Sequence, residues 1–253
     1  MVGNMQGHAL SAASHRRQGE SRRAPVARAV QRARRGALTS NYAEGGAFLK
    51  TRPDLAMPDI QLHFVVALTD NHARTLHLGH GLSCHVCLLR PKSRGEVTLE
   101  SKDAHDAPRI DPAFFNDPRD LDGMVEGFKL ARRLMHAPAL AEWITKDLFT
   151  ANVNSDDAIR DALKRRVDTV YHPAGTCRMG QDTHAVVDAQ LCVRGLQGLR
   201  VVDASVMPTL TGGNTNAAVI MIAEKAVDMI KGVPRARLPS SDAIDRDPAR
   251  ARA

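Results

Sequence analysis

The apolar residues of this 253-residue chain change their period once, and that change limits its fold more than any other feature. Between residues 59 and 101 they recur at every second position; after Asp117-Pro118 they recur at every third or fourth. Ile60-Gln61-Leu62-His63-Phe64-Val65-Val66-Ala67-Leu68 alternates and then tightens, as a half-buried strand does. A Gly/His-rich loop at 77–81 leads to a second strand at His85–Leu89. Pro91-Lys92-Ser93-Arg94-Gly95 is a turn, and Glu96–Ser101 a third strand, so 59–101 predicts an antiparallel meander. Leu121, Met124, Val125, Phe128, Ala131, Leu134 and Met135 then hold one helical face. Ser155 is a good N-cap for another helix running to about Val167, with Asp156 and Asp157 in its first turn. Strands followed by helices give an α+β architecture, an antiparallel sheet flanked by helices.

The chain ends on a different unit. Leu199-Arg200-Val201-Val202-Asp203 reads as a short buried strand. A helix from Thr215 to about Ile230 carries Ala, Ile and Met on nearly every face, which predicts deep burial. This strand–loop–helix resembles part of a nucleotide-binding domain. No apolar run reaches the eighteen residues of a membrane span.

The net charge of +7 is confined to one end. Residues 1–37 hold Arg16, Arg17, Arg22, Arg23, Arg28, Arg32, Arg34 and Arg35 against Glu20 alone, and the rest is balanced at 27 basic and 27 acidic side chains. The segment lacks the apolar stretch of a secretory signal and is expected to be a disordered tail, in preference to an organelle transit peptide. A basic tail can touch polyanions weakly, but aromatics are 4% of the chain and no base-stacking platform is visible, so specific nucleic-acid binding is not expected. Residues 234–253 read as a second loose end.

Cys84 and Cys87 form a C-x-x-C, yet a zinc ribbon needs a second such pair, and Cys177 and Cys192 are too far apart in sequence to make one. Strand alternation turns Cys84 and Cys87 to opposite faces, so ordinary strand cysteines, and no metal, are expected. Free thiols suit a reducing compartment such as the cytoplasm.

Two irregular segments are dense in special residues: Tyr171-His172-Pro173-Ala174-Gly175-Thr176-Cys177-Arg178-Met179-Gly180, and 203–218 with Gly212-Gly213-Asn214-Thr215-Asn216 at its centre. The glycines let backbone approach a flat ligand, and Asn214 or Thr215 would cap the final helix, whose N-terminus presents N–H groups and partial positive charge. YHPAGTCRMG, then VVDAS-x-MP, then GGNTNAA and an IAEKAVDMI helix closely resemble the C-terminal signature of the glucose–methanol–choline (GMC) family of FAD-dependent alcohol oxidoreductases, in its choline-dehydrogenase-like branch. The resemblance extends through Ser40–Phe48 and Arg90–Gly95 and covers roughly residues 38–233.

It implies a GMC substrate-binding domain at 38–198, with 199–233 as the closing strand and helix of an FAD-binding α/β domain. It further implies hydride transfer from an alcohol carbon to flavin, with no particular alcohol or electron acceptor assigned. His172 matches the family's catalytic histidine, a base that accepts the hydroxyl proton. Asn214 matches its partner, which hydrogen-bonds the reacting oxygen; helix capping is the compatible ordinary role. Thr215 and Asn216 match the backbone beside the flavin pyrimidine, and Asp203 and Ala204 the stretch beside its ribityl-pyrophosphate side, where Asp203 could equally be a turn cap. Glu44 matches a glutamate that faces substrate in choline-type relatives; a solvated turn glutamate is the alternative, since one Trp, two Tyr and six Phe offer few rings for a quaternary ammonium.

One family element is missing. No G-x-G-x-x-G fingerprint for the FAD pyrophosphate occurs; Gly79-His80-Gly81 begins like one but lacks the third glycine. The chain is expected to be a C-terminal portion without the N-terminal Rossmann half. The competing expectations are an inactive fragment lacking a full FAD site and, further off, a basic-tailed polyanion-binding module.

Overall fold

A computed structural model describes residues 5–14, 41, 43–70, 75–76, 81–141 and 143–232. Its centre is a six-stranded antiparallel sheet formed by β1 (Met5–Ser14), β2 (Ala43–Leu49), β3 (Ile60–Val65), β6 (Gly81–Leu88), β9 (Ile144–Asp147) and β10 (Asp168–Thr169). The order runs β10-β1-β6-β3-β2, and β9 pairs with β1 beyond the end of β10. Two small ribbons stand apart, β4 (Thr69–Asp70) with β5 (Thr75–Leu76), and β7 (Glu96–Thr98) with β8 (Arg109–Asp111).

The expected meander needs two corrections. β7 does not join the main sheet; it pairs with β8, and both are exposed throughout. The strand beside β6 is instead β1, registered with Met5 opposite Leu88 and Ala13 opposite Gly81. Residues 5–14 are therefore sheet and not disordered tail. MQGHALSAAS carries no Arg, Lys, Asp or Glu, so the basic character of 1–37 belongs to the stretch from Arg16 to Arg35 alone. Residues 15–40, with all eight of those arginines, and 233–253 lie outside the described residues.

One sheet face makes the main core. Ile60, Leu62, Cys84, Val86 and Leu88 project from β3 and β6 against Leu121, Met124, Val125, Phe128, Ala131 and Met135 of α1 (Pro118–Met135). The short α2 (Pro138–Ala141) comes next in the chain, and α3 (Asp156–Arg166) adds Ile159 and Leu163. Asp117 caps α1, accepting from the Arg119 N–H at 3.0 Å, and Ser155 caps α3, accepting from the Ala158 N–H at 3.2 Å. Gly127 lets α1 lie close on the sheet: a Cβ there would stand 2.7 Å from Ile60 Cδ1 and 2.9 Å from Val86 Cγ1. Cys84 sits in this core and Cys87 on the other face; burial pushes both thiols up to about 12, which makes them inert.

The Arg90–Gly95 turn is built for structure. The Asp120 carboxylate, 2% exposed, accepts from Lys92 N at 2.8 Å, Ser93 N at 2.7 Å and Ser93 Oγ at 2.6 Å. Arg94 Nη1 donates to the carbonyls of Pro91, Lys92 and Ser93. The turn is thereby fastened to the first turn of α1.

A second core gathers Ala174, Val187, Leu191, Val206, Met207, Leu210, Ile222 and Ala226 around α4 (Asn216–Lys231). The boundary expected at 198/199 falls inside this cluster. The expected strand at 199–203 is absent; Arg200 makes one bridge to Cys192, and Leu199 is 49% exposed. A buried strand needs a neighbour on each side, and the described residues supply only 191–193. Nor is α4 deeply buried. Ile222 and Ala226 are its buried residues, while Ile220 (55%), Met221 (58%), Val227 (43%) and Ile230 (62%) face outward.

Candidate active site

Backbone hydrogen bonds bring the two irregular segments together. Gly175, Cys177 and Met179 N–H groups donate to the carbonyls of Ala204, Ser205 and Val206. Buried Ala174 and Val206 anchor both segments in the second core. Tyr171, at φ 61°, takes a left-handed turn immediately before His172, with its N–H on Thr169 Oγ1 at 2.9 Å. Across from it, Gly212 lies against the guanidinium of Arg90, where a Cβ would collide, and Gly213 rests beside the Phe48 ring. These close approaches set Asn214 and Thr215 against His172.

Four side chains then form one run. Gln61 Nε2 donates to Asn214 Oδ1 at 3.1 Å, Asn214 Nδ2 faces His172 Nε2 at 3.3 Å, and His172 Nδ1 faces Thr215 Oγ1 at 3.0 Å. Burial lowers the pKa of His172. His63 is lowered too, by burial first and then by the charge of a protonated His172. Both imidazoles are thus neutral at physiological pH. A neutral His172 can accept a proton at Nε2 from a hydroxyl presented there, with the Asn214 amide N–H ready to hold the same oxygen.

α4 completes the electrostatics. Thr215 is its N-cap residue, but its hydroxyl is engaged by His172 and makes no capping bond. Asn214 is engaged as well, so neither residue supplies the helix cap expected of it. The first turn, with Asn216 and Ala217 exposed, directs uncapped positive dipole beside the His172 imidazole.

Comparison with known proteins decides what this arrangement belongs to. Residues 91–223 match the family model of the GMC oxidoreductase C-terminal domain. The chain belongs to the GMC oxidoreductase family. It is 45% identical over 215 residues to an alcohol dehydrogenase [acceptor] of Pseudomonas putida, covering 84% of this chain and 39% of that protein. It is 38% identical over 216 residues to an oxygen-dependent choline dehydrogenase of Escherichia coli, covering 85% of this chain and 37% of that one. Among solved structures, pyridoxine 4-oxidase from Mesorbium loti superposes with a TM-score of 0.78 at 29% identity, over 92% of this chain and 43% of that one. A formate oxidase of Aspergillus oryzae RIB40, studied for FAD modification, gives 0.81 at 26% identity, over 91% and 46%. The chain thus spans less than half the length of each of these relatives.

Within this GMC chain, the candidate residues of the sequence fall into two groups. His172, Asn214 and Thr215 meet in direct contact, and Asn216 opens α4 next to them. Asp203 caps the 3-10 turn Ala204–Val206, its Oδ1 accepting from Ser205 N at 2.7 Å. Glu44 is the extra residue of a bulge between Ala43 and Gly45 on β2, exposed and without a hydrogen bond or ion pair among the described residues.

Gln61, His63 and His85 are the residues that sequence reasoning missed. Their alternation matches the solvent side of a half-buried strand, yet Gln61 is 7% and His85 8% exposed. His63 sits directly opposite His85. The available signal is three polar residues on one face of two apolar strands; what covers that face is set by residues far along the chain. Two concavities, of about 490 and 510 Å³, lie against α1 and are lined by residues other than His172.

Proposed function

We propose that this GMC chain supplies the substrate-binding and proton-accepting part of an FAD-dependent enzyme that oxidises an alcohol CH–OH group. The observation that carries the reading is a neutral His172, bracketed by Asn214 and Thr215 at the uncapped N-terminus of α4. His172 Nε2 takes the hydroxyl proton, and Asn214 holds the oxygen as its negative charge grows. FAD, when bound, supplies the acceptor for the hydride that leaves the carbon.

The residues present fit one side of that cofactor. An uncapped helix N-terminus suits a ring edge that gains negative charge on reduction, and Thr215 and Asn216 would border it. The exposed turn at Asp203 and Ala204 would meet the ribityl side. The pyrophosphate cradle would come from a Rossmann half, which would also cover the outward apolar residues of α4. Glu44, exposed on the edge strand β2, would be the carboxylate that attracts a cationic alcohol.

A second reading has its own observation. With no G-x-G-x-x-G in the sequence and the α4 face uncovered, the chain by itself would be an inactive fragment with inherited catalytic side chains. The visible absorption spectrum of the purified chain, after incubation with FAD and gel filtration, separates the two. Co-eluting flavin bands and turnover of an alcohol, lost in His172→Ala, support the first. A chain that stays colourless supports the second.

A further inference from the structure

An imidazole serves as a base only through the nitrogen that lacks a proton, and the order of hydrogen bonds around His172 points to one of the two. Gln61 lies on β3, paired with Phe48 on one side and Cys87 on the other, and is 7% exposed. Its side chain is therefore more enclosed than that of Asn214, which is exposed in a loop. With Gln61 Nε2 donating to Asn214 Oδ1 at 3.1 Å, the Asn214 amide can turn only Nδ2 toward His172. That nitrogen has hydrogens and no lone pair, so His172 Nε2 must be the acceptor and carry no proton. The single hydrogen of the neutral ring then sits on Nδ1, where Thr215 Oγ1 accepts it at 3.0 Å.

We propose that Gln61 is a positioning residue that, through Asn214, holds His172 in the Nδ1–H tautomer and leaves Nε2 bare for the substrate proton, with Thr215 anchoring the opposite edge of the ring. As a catalytic device this rests on His172 being the base; as a hydrogen-bond order it stands independently. When the base acts, the alcohol O–H bond breaks, an Nε2–H bond forms, and Asn214 Nδ2 passes its hydrogen bond to the oxygen left behind. Protonation without a substrate oxygen in place would set an Nε2–H against the Asn214 hydrogens. The reversed order, Asn214 Nδ2 donating to Gln61 and Asn214 Oδ1 accepting from Nε2–H, would block the base.

Long-range 1H–15N NMR of the histidine rings in the full 15N-labelled chain tests this without cofactor or turnover. The His172 signals are identified among the eleven histidines by their loss in His172→Gln. The expected wild-type pattern at neutral pH is Nδ1–H with bare Nε2. Gln61→Glu can accept from Asn214 but not donate, so it should reverse the amide, move the proton to Nε2 and raise the pKa by about one unit or more, tenfold in proton affinity. Gln61→Met adds no charge and should give a mixture of tautomers, which separates amide orientation from electrostatics and remains decisive if the glutamate variant fails to fold. An Nε2–H tautomer in the wild type, or an unchanged Nδ1–H pattern in Gln61→Met, overturns the proposal. An inactive chain showing Nδ1–H would count against the catalytic reading and not against this one; an active chain showing Nε2–H would do the reverse.

Discussion

His172 and His63 keep their neutral forms because the fold removes water from them, and this makes stability and turnover depend on pH. Both pKa values are lowered in the folded chain and return to about 6.5 on unfolding. Below that value, down to the lowered folded ones, the unfolded chain binds more protons than the folded one, so stability rises with pH through the window and is lost as acid protonates the rings. The urea midpoint should accordingly be lower near pH 5 than near pH 7, and His63→Gln should remove part of the difference. In the flavin-loaded, complemented enzyme, kcat/KM should fall on the acid side with an apparent pKa below the ordinary histidine value. His172→Ala should lose that limb together with about 10²–10⁴-fold in rate, read by steady-state kinetics across pH.

At the scale of elements, α1 and the turn before β7 act as one piece through Asp120. Replacing this 2% exposed carboxylate with Ala would strand the Lys92 N–H, the buried Ser93 N–H and the Ser93 hydroxyl. The expected cost is about 2–4 kcal/mol, visible as a lower denaturant midpoint with an unchanged slope. Here the sequence is only half legible. The helical face of α1 and the Ser155 cap of α3 can be read directly, because periodicity and capping are local. Arg90–Gly95 stands out by its family resemblance, but its tie to a carboxylate 27 residues away has no local signal. The strand at Met5–Ser14 is hidden for a related reason: uncharged and rich in small residues, it gains its conformation from β6, β9 and β10.

At the scale of the whole molecule, α4 has two different faces. Ile222 and Ala226 pack inward, while Ile220, Met221, Val227 and Ile230 form an apolar stripe toward solvent. Ile220→Lys combined with Ile230→Lys should lower dye binding to exposed apolar surface and reduce self-association of the isolated chain, with little change in its thermal unfolding. The same pair should abolish flavin retention if a Rossmann half covers this face. Sequence composition implies a helix buried on every side; how much of it is covered depends on the neighbours that pack there, and composition carries no record of them.

What the sequence determined by itself is what short-range chemistry dictates: the change from period two to period 3.6, the Ser155 cap, and the signature segments around His172 and Asn214. The tertiary structure decided that Asn214 and Thr215 meet the two ring nitrogens of His172, that Thr215 holds a ring instead of capping a helix, and that Gln61 and His63 lie beside them instead of facing water. Gln61 and Asn214 are 153 positions apart. No propensity or spacing couples residues over that distance; only the packing of β3 beneath the Gly212–Asn214 loop does.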